Sequence, residues 1–396
     1  MYHTGGTEMT YKAFTEQDAI ERVRSLGLIG DGAVEAEEIG DGNLNLVFRI
    51  REGEHRLILK QALPYAKVVG ESWPLSLERA WIEQSALREF ARHAVPFVPR
   101  VFHASHDEAY TVMEDLSHLT IVRSGLLAGE QYPLLAEHIG SYLARTLFHT
   151  SDFALGPVEK KRIARTYYNP DLCDITEKLI FTDPFHDAET NEIEAGLEEE
   201  VARLWADDEL KREVAKLEAL FITKGDALLH GDLHTGSIFA SATETKVIDP
   251  EFAFYGPFGF DVGQFIAHLF FAAYPDYSAL RDARIRDIDT FWLTFASTFR
   301  ALWEREAVEP FRTSGLVDDV LSTILQDALG FAGCELIRRT IGLAPVADLE
   351  TISSMTERLE RKQHALRLGS ALIKRRTECR TFDDLRNFDV TEELSR

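Results

Sequence analysis

The sequence predicts an α+β chain of two lobes, a small antiparallel sheet lobe over residues 1–116 and a larger, mainly helical lobe over residues 117–396. Three observations carry this. A length of 396 residues exceeds one ordinary domain and is enough to bury two cores. Residues 33–61 read as short strands separated by turn residues, and from Tyr132 onward the texture changes to long helical segments.

In chain order, a polar stretch with Gly5-Gly6 precedes a short amphipathic helix that starts at Glu16-Gln17-Asp18-Ala19 and ends near Gly27. An approach through Glu37-Glu38-Ile39 then leads to a turn at Gly40-Asp41-Gly42-Asn43. A strand from Leu44 to Ile50, a hairpin turn at Glu52-Gly53-Glu54 and a strand from Arg56 to Gln61 complete an antiparallel meander. The glycines of the first turn, which runs on through Leu44 to Asn45, allow backbone to approach a phosphate closely.

Gly70-Glu71-Ser72-Trp73-Pro74-Leu75 reads as a loop, and Leu77 to His93 as a helix offering the acids Glu78, Glu83 and Glu89. Glu83 precedes the apolar Leu87 and Phe90 at helical spacing, which turns it toward the sheet. Val98 to Phe102 and Tyr110 to Met113 bring the sheet to five strands, and Met113-Glu114-Asp115-Leu116 breaks the pattern. Helices are expected from Leu134 to Thr150, through the acidic stretch Glu189 to Leu220, from Ala279 to Trp303 and from Val317 to Arg339. The acidic run around residues 186–200 reads as a solvated helix face.

The chemistry concentrates in Leu229-His230-Gly231-Asp232-Leu233-His234-Thr235-Gly236-Ser237-Ile238-Phe239 and in Val247-Ile248-Asp249-Pro250-Glu251. A loop carboxylate, a short strand and two alternating carboxylates suit phosphoryl transfer, in which the protein positions the nucleophile and bound metal offsets the charge of the transferring group. Asp232 is the candidate to orient a substrate hydroxyl and accept its proton. Asp249 and Glu251 are the candidate magnesium ligands, since hard cations take oxygen donors.

These strings resemble the aminoglycoside phosphotransferase and choline kinase superfamily, whose fold is protein-kinase-like. His230 to Ile238 and Asp249 to Pro257 are similar, more specifically, to the 5-methylthioribose kinases. The superfamily usually carries Asn where this chain has Ser237, a departure that methylthioribose kinases share. The resemblance implies ATP in the cleft between the lobes, with Gly40, Asp41, Gly42, Asn43 and Asn45 at its phosphates. Asn45 stands where protein kinases have the third loop glycine. It further implies Lys60 on the α- and β-phosphates with Glu83 holding it, and adenine at the main chain of Glu114 and Leu116. His230 and Asp261 would support the catalytic loop. Trp73 and the pair Arg338-Arg339 would bind the sugar, whose C1 hydroxyl attacks the γ-phosphate in a step of methionine salvage. A homodimer is also implied.

A net charge of −23 and a pI near 5.0 argue against nucleic acid or an anionic membrane as partner, since both need clustered Lys and Arg. Three scattered cysteines, Cys173, Cys334 and Cys379, suggest neither a disulfide framework nor a zinc site and fit a reducing, cytoplasmic compartment. No stretch is expected to reach the roughly 18 apolar residues of a membrane span, and no targeting segment is expected.

Overall fold

The computed structural model describes residues 11–39, 44–66, 70–273, 279–381 and 384, so Gly40, Asp41, Gly42 and Asn43 lie outside the described residues. Helix α1 (Glu16–Ser25) starts at a capping box in which Thr15 and Asp18 satisfy one another's N–H groups. It leads into β1 (Glu35–Glu38), β2 (Asn45–Glu52) and β3 (His55–Ala62). A separate hairpin of β4 (Tyr65–Ala66) and β5 (Gly70–Pro74) precedes α2 (Glu78–His93), and β6 (Val101–Ser105) and β7 (Tyr110–Glu114) complete the main sheet in the order β1-β2-β3-β7-β6, all antiparallel. The α+β, two-lobed class is the one expected. The stretch expected as a loop from Gly70 to Leu75 is instead largely strand, because Tyr65 and Ala66 supply it with a pairing edge. Trp73 sits in that strand, and its side chain lies outside the described residues.

The period of two along β3 sorts its side chains. Leu57 and Leu59 join Phe48, Ile50, Tyr110 and Val112 beneath α1. Lys60 falls on the opposite face with Ile58 and meets α2.

In the helical lobe the acidic stretch is not one helix. Residues 189–197 are irregular and include Gly196 at φ +104°. Helix Glu198–Ala206 then stops at Asp207, whose side chain accepts from Leu210 N–H at 2.9 Å and caps Asp208–Thr223. Helix Leu316–Ile341 has the length and hydropathy of a membrane span, contrary to the expectation that no segment would reach it. Neighbouring helices bury 72% of its most apolar window. Its apolar character serves packing: Gly330, Ala332 and Gly333 are small residues at helix contacts.

Helix Gly259–Ala273 lies against it so closely that a Cβ on Gly263 would stand 2.4 Å from the Ala328 carbonyl oxygen. Packed this way, Asp261 and Gln264 of one helix and Arg338 and Arg339 of the other all reach the loop at residues 230–233. Gly263→Ala is therefore expected to destabilise the protein by about 1–3 kcal/mol, although alanine favours helix, because the backbones must separate. Denaturant titration checks this, and an unchanged or raised midpoint would show that the contact is slack.

Candidate active site

Gly231 has φ +86°, and a Cβ there would stand 2.2 Å from the Phe252 carbonyl oxygen, so only glycine fits this bend of the loop. Asp261 accepts from the N–H groups of His230 at 2.6 Å and Gly231 at 3.0 Å. His230 Nδ1 accepts from Asp232 N–H at 3.3 Å, which leaves Nε2–H to donate to the Ile248 carbonyl at 2.8 Å. Ser237 is buried, and its hydroxyl lies 2.8 Å from the His234 carbonyl and 3.2 Å from that of Asp232. Its oxygen is occupied within the loop.

Across the cleft, Lys60 Nζ lies 2.8 Å from Glu83 Oε1 and 2.6 Å from Asp249 Oδ1. Burial opposes the lysine charge, but Asp249, Glu83 and Glu251 outweigh it and raise its pKa. Burial pushes Glu83 up to about 7 while Lys60 pulls it down. Desolvation also opposes charge on Asp249, and there Lys60 prevails and lowers the pKa. Asp249 adopts φ 63°, ψ 43°, a left-handed conformation that is uncommon for a non-glycine residue. Its side chain remains 45% exposed, open to a ligand.

Glu251 is buried by a partner that the sequence did not reveal. Arg79, 1% exposed, donates to Glu251 Oε2, to Asn45 Oδ1 at 2.6 Å, and to the carbonyls of Leu44 and Leu63. The Asn45 side chain is thus committed to Arg79 and Glu251. Among the described residues, Glu251 Oε1 keeps only a 3.5 Å contact, from Asn45 Nδ2. The Glu114 N–H donates to the Arg100 carbonyl at 2.9 Å, and the carbonyl of buried Leu116 accepts from Leu119 N–H at 2.8 Å.

Arg338 and Arg339 point about 100° apart as helix neighbours. Both nevertheless reach one carboxylate oxygen: Asp232 Oδ1 is 3.7 Å from Arg338 Nη2 and 3.6 Å from Arg339 Nη2. The cause is Glu335, 1% exposed, which accepts from Arg338 Nε at 2.7 Å and Arg339 Nε at 2.9 Å and so draws both guanidinium groups to one side. Burial would raise the pKa of Asp232, yet His234, Arg339 and Arg338 hold it well below the carboxylate range.

His234 Nδ1 accepts from Gly236 N–H at 2.9 Å, leaving Nε2–H toward Asp232 Oδ2 at 3.4 Å. Glu335, His234 and Arg79 were missed in the sequence reading. For Glu335 a signal existed, since acids three and four residues before arginines pair on one helix face.

His268, fully buried, faces Glu335 Oε1 at 3.2 Å, and burial lowers its pKa to about 3. An unfolded histidine takes up a proton near pH 6.5, whereas this one does so only near 3. Between those values the unfolded state binds more protons, so stability falls on acidification. His268→Gln keeps a donor for Glu335 and removes the titration. It should lose about 2 kcal/mol less than the wild type between pH 7 and pH 5. Denaturant titrations at both pH values decide this, and parallel losses would refute it.

The sequence matches the phosphotransferase enzyme family over residues 35–292. A methylthioribose kinase of Exiguobacterium sibiricum is 87% identical over 98% of this chain and 100% of its own length. One of Geobacillus kaustophilus is 55% identical over 97% of this chain and 98% of its own. Among solved structures, a glucosamine kinase in complex with glucosamine, ADP and inorganic phosphate aligns with 90% of this chain and 83% of its own, at 16% identity and a TM-score of 0.48. By its close and nearly full-length identity to the first two, the chain belongs to the methylthioribose kinases within the phosphotransferase enzyme family.

Proposed function

We propose that the protein transfers the γ-phosphoryl group of ATP to the C1 hydroxyl of 5-methylthioribose, giving 5-methylthioribose 1-phosphate for methionine salvage. The observation that carries this reading is the carboxylate of Asp232 with two arginines held against it by Glu335. Asp232 accepts a hydrogen bond from the C1 hydroxyl and takes its proton as phosphorus–oxygen bond formation proceeds. Arg338 and Arg339 offer guanidinium N–H groups to sugar oxygens and to the transferring phosphoryl group, where planar donor forks suit paired oxygens.

Lys60, steadied by Glu83, pairs the α- and β-phosphates, and the main chain of Glu114 and Leu116 borders the adenine. Gly40, Asp41, Gly42, Asn43 and Asn45 serve the ATP phosphates, and Trp73 serves the sugar. The donor set suits Mg²⁺, which commonly takes one or two carboxylates together with phosphate oxygens. Asp249 is open to the cleft, and Glu251, fixed through Oε2 by Arg79, supplies Oε1. Bound there, the metal would offset charge on the β- and γ-phosphates. The protein acts in the cytoplasm as a homodimer.

A second reading, a hydroxyl kinase for choline or an aminoglycoside, calls for anionic or aromatic surroundings for a cationic substrate, and the arginine pair disfavours it. ADP release measured side by side with methylthioribose, choline and kanamycin should respond to methylthioribose alone. Activity confined to choline or kanamycin would overturn the proposal.

Asp232→Asn should retain fold and ATP binding while kcat falls by about 10²–10⁴-fold, the usual contribution of a positioned acid–base group. Normal turnover in a folded variant would remove Asp232 from catalysis. Arg338→Lys and Arg339→Lys keep charge at the helix end but lose the fork. Each should lower kcat/KM for methylthioribose at least about tenfold, or roughly 1.4 kcal/mol, with ATP affinity retained. Normal kinetics in both would reduce the pair to helix-end charges.

A further inference from the structure

Glu251 lies in the single 3₁₀ turn Pro250–Phe252, and two buried side chains from different parts of the chain hold it there. One is Arg79 of α2, whose two terminal nitrogens serve four acceptors. Its Nη1 donates to Glu251 Oε2 and to Asn45 Oδ1, and its Nη2 donates to the carbonyls of Leu44 and Leu63. The other is Asn169, 7% exposed, which directly precedes helix Pro170–Thr176. Its Nδ2 donates to the Glu251 carbonyl at 2.9 Å and to that of Ala253 at 3.3 Å.

The two oxygens of the Glu251 carboxylate are left unequal by these contacts. Oε2 accepts from Arg79 and, at 3.3 Å, from Asn45 Nδ2, whereas among the described residues Oε1 has only the 3.5 Å contact from the same amide. In a free glutamate the last side-chain torsion is broad, so the two oxygens exchange at little cost. A planar guanidinium fork anchored on two backbone carbonyls opposes that exchange. Leu44 and Phe252, the chain neighbours of Asn45 and Glu251, also meet in an apolar cluster with Leu75 and Leu172. The arrangement is packed as well as bonded.

Hydrogen-bond partners behind a metal ligand orient it, and their loss typically weakens metal binding by about 10–100-fold. Resting on the metal role proposed above for Glu251, we infer that Arg79 and Asn169 are positioning residues for magnesium-dependent nucleotide binding. Arg79 holds Oε2 and so presents Oε1 to the metal. Asn169 fixes the main chain from which the carboxylate extends.

Calorimetric titration with ADP over a series of magnesium concentrations tests this, each protein being referred to its own ADP affinity in EDTA so that effects on the nucleotide site alone cancel. Arg79→Lys keeps a positive charge opposite Glu251 but cannot span four acceptors, and Asn169→Ala removes the donor to the two carbonyls without altering charge. In each variant the magnesium concentration that gives half its effect on ADP affinity should rise by about 10–100-fold. A merely structural role would weaken ADP alike with and without magnesium.

If Arg79→Lys does not fold, Asn169→Ala decides alone. A wild-type magnesium response in one folded variant removes that residue from the role. If the wild type responds to magnesium and every folded variant responds as it does, Arg79 and Asn169 support the fold only and the metal site stands. If ADP binds the wild type equally well with and without magnesium, the metal role of Glu251 fails, and with it the role of its two supports.

Discussion

Asp232 stays ionised inside the protein because Arg338, Arg339 and Arg123 balance it together with Glu335 and Asp348, three guanidinium groups against three carboxylates. With that balance struck, a further proton on His234 or His268 would be an uncompensated buried charge, and desolvation depresses both. Neutral imidazoles can then serve as fixed donors: each turns Nε2–H toward a carboxylate. Such a cluster is a poor source of stability, since the cost of removing ions from water offsets most of their attraction. What it supplies is orientation. Glu335 overrides the divergence of two neighbouring helix side chains and presents both to the same oxygen.

Two of the ion pairs that join the smaller lobe to the larger differ in character. Arg79 is wholly buried, and through Asn45, Leu44 and Leu63 it ties Glu251 to the start of β2 and the end of β3. Loss of such a partner would leave a buried charge unmatched, so this link resists breaking. Lys60 and Asp249 meet at a partly exposed surface. On the proposed function, phosphate and metal interpose between them, and the ion pair gives each group a partner of the right sign until they do. The first contact is built to persist; the second is exchangeable.

The parts of this arrangement legible in the sequence are those that local rules govern. Strand alternation set Lys60 on the face opposite Leu57 and Leu59, helical spacing turned Glu83 to the sheet, and the resemblance singled out Asp261, whose carboxylate is found on the loop's N–H groups. Arg79 was not legible, because its partner Glu251 is 172 residues away and nothing in the periodicity of α2 distinguishes a buried arginine from a solvated one. Gln264, which accepts from the Leu233 N–H at 2.9 Å, was hidden for a similar reason. Which helical residue faces a cavity depends on how helices cross, and the crossing here rests on glycines such as Gly263 whose role shows only when the second helix is in place. The acidic stretch misled because composition records charge density, whereas a cap at Asp207 and a positive φ at Gly196 decide where helices begin and end.

The electrostatics also limit how Asp232 can act in the proposed reaction. A carboxylate held far below its ordinary pKa is a weak base, so abstraction of the hydroxyl proton before phosphorus–oxygen bond formation would be strongly uphill. A loose transition state, in which the nucleophile gathers little charge until late, has no need of early abstraction. Asp232 then contributes chiefly by fixing the direction of the hydroxyl, and the proton moves once the forming bond has made the oxygen acidic. The same two arginines that weaken Asp232 as a base lie within 4 Å of it, where the equatorial oxygens of a transferring phosphoryl group would find positive charge. The site gives up basicity at the nucleophile to gain stabilisation at the phosphoryl group, which is the favourable exchange when bond breaking leads bond making.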